Sequence, residues 1–264
     1  YGGHAFWDTE LFMLPFFAWV FPKTAQNLEN YRYHLLDAAR ANAHKNGYEG
    51  AQYPWESADD GTEQCPDWTI EPDGTCYRCY VAVYEHHVTA AVAYGICNYI
   101  KITQDMEFLY SKGAEILTET ARFWASRCEY NQAQDRYEIN QVTGPDEWHE
   151  PVNNNLYTNY LARWNLRYVL SLLTAMKEEK TDAYHALVEK TGLTECEMET
   201  WREVQAKMYL PRKEGTKLLE QFEGYFELDN VTIEQYDEND WPVRPEALKT
   251  KKASETQITK QADV

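Results

Sequence analysis

The chain has 264 residues, 44% of them hydrophobic and 14% aromatic, which is enough to build a sizeable core and far from a disordered composition. Its 43 acidic against 25 basic residues leave a net charge of −18. That field excludes nucleic acid and anionic membranes as partners and disfavours anionic substrates unless a local pocket of donors offsets it. No apolar run reaches the roughly eighteen residues that a membrane-spanning helix needs.

The dominant period along the chain is helical. Thr24 is placed as the N-cap of a first helix, in which Leu28, Tyr31, Leu35, Ala38 and Ala39 recur at three- and four-residue steps, and Gly47 and Gly50 close it. A second helix is expected over 85–102, where Ala90, Ala91, Ala93 and Gly95 would let neighbours approach closely. A third is expected over 106–128, with Ile116, Phe123 and Trp124 on one face. The fourth, over 153–178, takes Asn153 as its N-cap and carries a polar stripe of Asn155, Asn159, Arg163, Arg167 and Ser171. Shorter helices follow near 181–192 and 194–208. Arg136 to Asn140 is the one strand candidate, and 209–256 reads as an irregular, charged excursion.

Six cysteines, Cys65, Cys76, Cys79, Cys97, Cys128 and Cys196, are too sparse for a disulfide scaffold. Cys76 and Cys79, with Cys65 before them and His86-His87 after, invite a zinc reading. A structural zinc site usually offers two clean ligand pairs, however, and adjacent histidines bite awkwardly. No metal is therefore expected, and the thiols read as reduced in a cytoplasmic protein. The start, Tyr-Gly-Gly-His, is neither an initiator Met nor a signal peptide, so the chain is expected to be a piece of something longer.

The residues with most chemical character lie at helix starts and in connecting loops, where sites are usually built. In GGHAFWDTE (2–10), Trp7-Asp8 pairs a flat apolar face with a carboxylate acceptor, the equipment for gripping a pyranose ring; the alternative is a buried Trp with Asp8 capping the next helix. In GAQYPWESADDG (50–61), Trp55-Glu56 repeats the pairing in a loop stiffened by Pro54. In GPDEWHEPVNNN (144–155), Pro145 fixes a turn and sets Glu147 between an aromatic and further carboxylates. Apolar surface and like charge both disfavour ionisation, so Glu147 is expected to hold a proton and to donate it to a glycosidic oxygen. The alternative is an exposed acidic turn ahead of a helix. Lys260 and Gln261 of KQADV add donors at the chain end.

These stretches, together with NLENYRYHLLDAARANAHKNGYEGAQYPWESADDG and DRYEINQVTGPDEWHEPVNNNLYTNYLARWNL, span almost the whole chain in order, and the chain resembles glycoside hydrolase family 65, the inverting disaccharide phosphorylases, nearest its kojibiose-phosphorylase-like branch. The resemblance implies an all-α fold, part of an (α/α)6 barrel, with residues 1–264 its central part. An N-terminal β-sandwich and a C-terminal phosphate loop would lie outside this segment. It implies an enzyme that cleaves an α-glucosyl disaccharide with phosphate, giving β-glucose 1-phosphate and a free sugar. Glu147 would be the general acid, and Trp7, Asp8, Trp55, Glu56, Lys260 and Gln261 would hold the glucosyl unit. His149 and Glu150 are counted with the substrate-binding residues as motif neighbours, their roles open. No resident cofactor is implied, phosphate being a co-substrate; family members often form homodimers. One departure is Trp148, where the family usually has Tyr; the Cys76–Cys79 segment matches no family pattern. The alternatives are an inverting hydrolase of the same family and a non-catalytic sugar-binding helical module.

Overall fold

A computed structural model describes residues 2–70, 73–249 and 251–261. The chain is mostly helical. Its helices are α1 (Leu14–Val20), α2 (Pro22–His34), α3 (Leu36–Lys45), the single turn α4 (Val81–Tyr84), α5 (His87–Thr103), the short α6 (Met106–Phe108), α7 (Ala114–Arg127), α8 (Leu156–Glu179), α9 (Thr181–Thr191) and α10 (Glu195–Lys207). Two antiparallel hairpins interrupt them, β1 (Trp68–Ile70) with β2 (Cys76–Arg78) and β3 (Glu129–Asn131) with β4 (Arg136–Glu138). Among the described residues no helix is long and apolar enough to cross a membrane.

The first expected helix is in fact two. Phe21, not Thr24, precedes α2, because Pro22 at the first position supplies a helical φ and needs no N–H partner. A break at Leu35 then separates α2 from α3. The buried stripe runs Ala25, Glu29, Arg32, Leu36, Ala39 and Ala43, alternating four- and three-residue steps. The apolar reading was out of phase because that stripe contains two charged residues. Arg32 is buried against Glu10, Nε to Oε1 at 2.5 Å and Nη2 to Oε2 at 2.9 Å, a bidentate pair that a hydrophobic pattern does not reveal.

α5 matches its expectation closely and is buried on nearly every side. A Cβ on Gly95 would lie 3.0 Å from Glu10 and 3.1 Å from Leu14, so the small residue sets the approach of α5 to the segment bearing Trp7 and Asp8. The third expected helix is divided by a π-helical turn, Leu109–Gly113, between α6 and α7. α8 packs against α5, α7 and α10 to form the core, with Trp124, Phe123, Trp201 and Leu166 fully buried. Its N-cap is Asn155, which accepts from the Thr158 amide at 2.9 Å, and not Asn153. Asn153 instead accepts from the Gln141 amide at 3.1 Å, because left-handed Asn154 (φ 52°) turns the chain between them. The polar stripe of α8 divides: Asn155 and Asn159 are buried, whereas Arg167 and Ser171 face solvent. The strand expected over 136–140 ends at Glu138, and the β1–β2 hairpin was not anticipated.

Glu29 is 1% exposed and neither carboxyl oxygen has a hydrogen-bond partner among the described residues. Burial and the Glu10 charge push its pKa well above the usual 4.5, against the opposing pull of Arg32. An acid with a raised folded-state pKa contributes most below its unfolded pKa, and that contribution is lost as pH rises towards the folded value. Urea unfolding should therefore show wild-type stability falling relative to Glu29→Gln as pH rises from 4.5.

Candidate active site

The Trp7-Asp8 and Trp55-Glu56 stretches are stitched side by side. Ala5 and Ser57 exchange both backbone hydrogen bonds at 2.9 Å. The loop beneath is pinned by Tyr53, whose amide donates to Thr89 Oγ1 at 3.1 Å and whose hydroxyl donates to the Arg32 carbonyl at 2.9 Å. Glu63 completes the bracket, accepting from the Trp55 amide at 2.7 Å and the Glu56 amide at 3.0 Å. The two indoles consequently face each other with centroids 6.5 Å apart and planes 31° from parallel. Asp8 makes no helix-capping bond, so the capping alternative fails and its carboxyl is left to the cavity. Burial raises its pKa.

The Gly-Pro turn is organised from inside by Asp146, which is 1% exposed. Its Oδ2 meets His149 Nδ1 at 2.6 Å and accepts from Gln221 Nε2 at 2.7 Å; its Oδ1 accepts from the Lys260 amide at 2.9 Å. His149 Nε2 lies 2.8 Å from the Thr256 carbonyl. One buried carboxylate thus binds the turn to residues 256–260, more than a hundred positions later. Burial raises the Asp146 pKa, but the hydrogen bonds from His149, the Lys260 amide and Gln221 outweigh it and hold the group below its ordinary 3.8.

With the C-terminal segment docked, Lys260 Nζ sits 2.7 Å from Glu147 Oε2 and the Gln261 amide donates to the Pro145 carbonyl. A cavity of about 470 Å³ lies between the pieces, lined by Phe6, Trp7, Asp8, Phe12, Trp55, Pro145, Glu147 and Gln261. Five of the nine residues picked out in the sequence line it, and Lys260 joins them through Glu147. Glu56 is turned to His4, Oε1 to Nδ1 at 2.5 Å. His149 is buried with both ring nitrogens engaged, which gives it a scaffolding position away from the cavity. Glu150 is exposed, and desolvation of its carboxyl followed by the Glu147 charge raises its pKa.

The surroundings expected for Glu147 need correction. Trp148 turns outward, 43% exposed, and the neighbour in contact with the Glu147 carboxyl is the Lys260 ammonium rather than an apolar face. Sequence reading paired Glu147 with what is adjacent in the chain, whereas the partner arrives from the far end.

Two residues escaped the sequence reading. Glu85 is 2% exposed, neither of its oxygens has a hydrogen-bond partner among the described residues, and burial, then the charges of Glu147 and Glu150, push its pKa well up against the pull of Lys260. His87 lies with Nε2 3.8 Å from Glu85 and its ring edge-on to Trp7 at 5.1 Å, Trp55 at 5.4 Å and Tyr157 at 5.7 Å. Burial pushes the His87 imidazole down to about 3, the Thr143 backbone acting in the opposite sense. The only sequence signal was the His86-His87 pair, weighed with the cysteines as metal chemistry; Glu85 carried none. Among the described residues no group of three or more His, Cys, Asp or Glu could hold a metal ion.

Two indole–carboxylate stretches, an acidic turn and a Lys-Gln pair converging on one cavity of a helical domain define a carbohydrate-active catalytic domain. The chain belongs to glycosyl hydrolase family 65, since residues 1–264 match the profile described as "Glycosyl hydrolase family 65 central catalytic domain". It is 54% identical over 264 residues to a kojibiose phosphorylase of Caldanaerobacter subterraneus subsp. tengcongensis, covering 100% of this chain and 34% of that protein. It is 37% identical over 275 residues to a nigerose phosphorylase of Lachnoclostridium phytofermentans, covering 100% of this chain and 36% of the relative. A solved structure of a candidate kojibiose phosphorylase from the human microbiome superposes with a TM-score of 0.82 at 30% identity, over 99% of this chain and 32% of that one. The chain therefore spans about a third of the length of the curated relatives it matches.

Replacing Asp146 with Asn removes the charge that His149, Gln221 and the Lys260 amide converge on. Asp146→Asn should lower unfolding stability by about 1.5–3 kcal/mol at neutral pH and expose the 253–261 segment to limited proteolysis. A carboxylate with a depressed folded pKa contributes above its unfolded pKa of 3.8 and loses that contribution as pH falls through the folded value, so the difference should vanish in acid.

Proposed function

We propose that this chain is the central part of an (α/α)6 catalytic domain in an inverting disaccharide phosphorylase acting on an α-glucosyl disaccharide of the kojibiose or maltose type. The observation that carries the reading is the convergence of Trp7, Asp8, Trp55, Glu147 and Gln261 on one cavity, with Lys260 at 2.7 Å from the Glu147 carboxyl. Relatives named as kojibiose and nigerose phosphorylases support the reaction class.

In this reading the indoles of Trp7 and Trp55 grip the apolar faces of the glucosyl ring, and Asp8 accepts from its hydroxyls. Lys260 holds Oε2 of Glu147, which leaves Oε1 to carry a proton to the departing oxygen. As the C1–O bond breaks, a phosphate oxygen bonds to C1 from the opposite face, and the product is β-glucose 1-phosphate with a free sugar. A phosphorylase needs no second carboxylate, because phosphate arrives already anionic and nucleophilic. It needs donors to hold phosphate near a protein of net charge −18, and the reading assigns these to a loop beyond residue 264. No resident cofactor enters the scheme. A homodimer comes with the family resemblance alone, and a cytoplasmic setting with the reading of the sparse cysteines as reduced thiols.

One observation favours a second reading. Glu85 and Glu150 both lie within electrostatic reach of Glu147, and an inverting hydrolase requires a second carboxylate to activate water. Product analysis of the full-length protein separates the two: cleavage should depend on phosphate and yield β-glucose 1-phosphate, whereas free glucose formed at the same rate without phosphate would establish hydrolysis. In the same protein Glu147→Gln should reduce kcat by about 10²–10⁴-fold while disaccharide binding by calorimetry persists.

A further inference from the structure

The β1–β2 hairpin is exposed along both strands, and nothing in the proposed reaction uses it. At its base, Cys65 and Cys79 bring their sulfurs to 3.8 Å, and the Cys79 amide donates to the Asp67 carbonyl at 2.7 Å. Both cysteines are half-buried. The nearer pair in sequence, Cys76 and Cys79, is separated along extended chain, where three residues span about 10 Å, beyond the roughly 7 Å between Cα atoms that a disulfide tolerates. Register therefore selects the partner fourteen residues away over the one three residues away.

Cys65 also sits at the end of the bracket under the sugar loop. Glu63 accepts from the Cys65 amide at 3.0 Å through Oε1, the same oxygen that accepts from the Glu56 amide, while its Oε2 takes the Trp55 amide. The Gln64 amide donates to the Glu56 carbonyl at 2.9 Å. Whatever fixes Cys65 restrains Trp55 and Glu56 through these bonds.

We propose that Cys65 and Cys79 form a modification site: a thiol pair that a low-molecular-weight disulfide such as oxidised glutathione converts to an intramolecular disulfide, clipping the hairpin base to the bracket beneath Trp55. One cysteine thiolate attacks oxidised glutathione, giving a mixed disulfide and one glutathione thiolate. The second cysteine thiolate then attacks the protein sulfur of that mixed disulfide, closing the Cys65–Cys79 bond and releasing the second glutathione. Two protein thiols are oxidised, one glutathione disulfide is reduced to two thiols, and the two protons pass to them. The sulfurs have to approach from 3.8 Å to about 2.05 Å. Cys79, at the end of an exposed two-stranded hairpin, can make that shift while Cys65 stays packed against the core. Burial, Cys79 and the Glu63 and Glu56 charges push the Cys65 thiol up to about 12, so closure should be faster at alkaline pH.

The bond does not depend on the phosphorylase reading, and its test uses no turnover. The folded chain is incubated with oxidised glutathione, quenched with an alkylating agent and mapped by non-reducing peptide mass spectrometry. A Cys65–Cys79 cross-linked peptide lacking two hydrogens, reversed by dithiothreitol, is expected in the wild type and in Cys76→Ser, and absent in Cys65→Ser and Cys79→Ser. Amide exchange at Trp55 and Glu56 should then slow by about tenfold in the oxidised chain. Glutathione retained on Cys65 or Cys79, a Cys76–Cys79 link, or no link would overturn the site. A Cys65–Cys79 bond with unchanged exchange at Trp55 and Glu56 would overturn its connection to the sugar loop.

Discussion

A single buried carboxylate holds the two ends of the site together. Asp146 accepts from Gln221 and from the Lys260 amide while its other close partner, His149, reaches the Thr256 carbonyl. That hub holds the Lys260 backbone against the turn and so sets its ammonium beside Glu147, with the Gln261 side chain on the Pro145 carbonyl as a second tie. A buried carboxylate is stable only when its lone pairs are filled, and here three separate segments of the chain fill them. The turn that looks like an acidic surface loop in the sequence is therefore built inside out, with Asp146 facing inward and Glu147 facing the cavity.

The opposite wall follows the same logic one layer down. Arg32 is buried between Glu10, which leads out of the Trp7-Asp8 stretch, and Tyr53, which leads into Trp55-Glu56. Its guanidinium also reaches Ser57 at 3.2 Å. A bidentate ion pair has little tolerance in angle, so it sets the relation between the two indoles more tightly than apolar packing alone would. Gly95 contributes by its missing Cβ, letting α5 come close enough to Glu10 to seal the pair from water.

Much of this was legible in the sequence, and the failures have a common cause. α5, α8, α9 and α10 lie close to the helices expected from the sequence, although the caps named there, Thr24 and Asn153, were misplaced, and Trp7, Asp8, Trp55, Glu147 and Gln261 stand out by residue type in loops. What misled was charge in the interior. Glu29 and Arg32 occupy the buried stripe of α2, so a pattern of apolar residues placed that helix out of phase. Glu147 was matched with its chain neighbours, whereas its contact is Lys260, 113 positions away. His149 was counted with the substrate-binding residues only as a motif neighbour, its role open; its two nitrogens face Asp146 and the Thr256 carbonyl. Glu85 carried no signal and His87 only a metal reading, because their place beside the cavity depends on which aromatic rings fold over them. Local pattern reports periodicity and residue type, and long-range ion pairing lies outside both.

The distribution of charge around the cavity now has a physical sense. Beside the indoles, burial disfavours the imidazolium of His87, and burial with two nearby carboxylates disfavours ionisation of Glu85. Both groups can thus be enclosed without the cost of an unpaired buried charge. At the rim the pattern reverses, with Glu147 and Lys260 each partly open to solvent and paired at 2.7 Å. The cavity sets the flat apolar faces of Trp7 and Trp55 beside the Asp8 carboxyl, which suits the neutral sugar ring of the proposed reaction, with its apolar faces and hydroxyls. In the proposed reaction this rim is where the proton would move. In the phosphorolytic reading proposed above, an anionic co-substrate near a chain of net charge −18 needs donors that face it, and at this rim Lys260 supplies one.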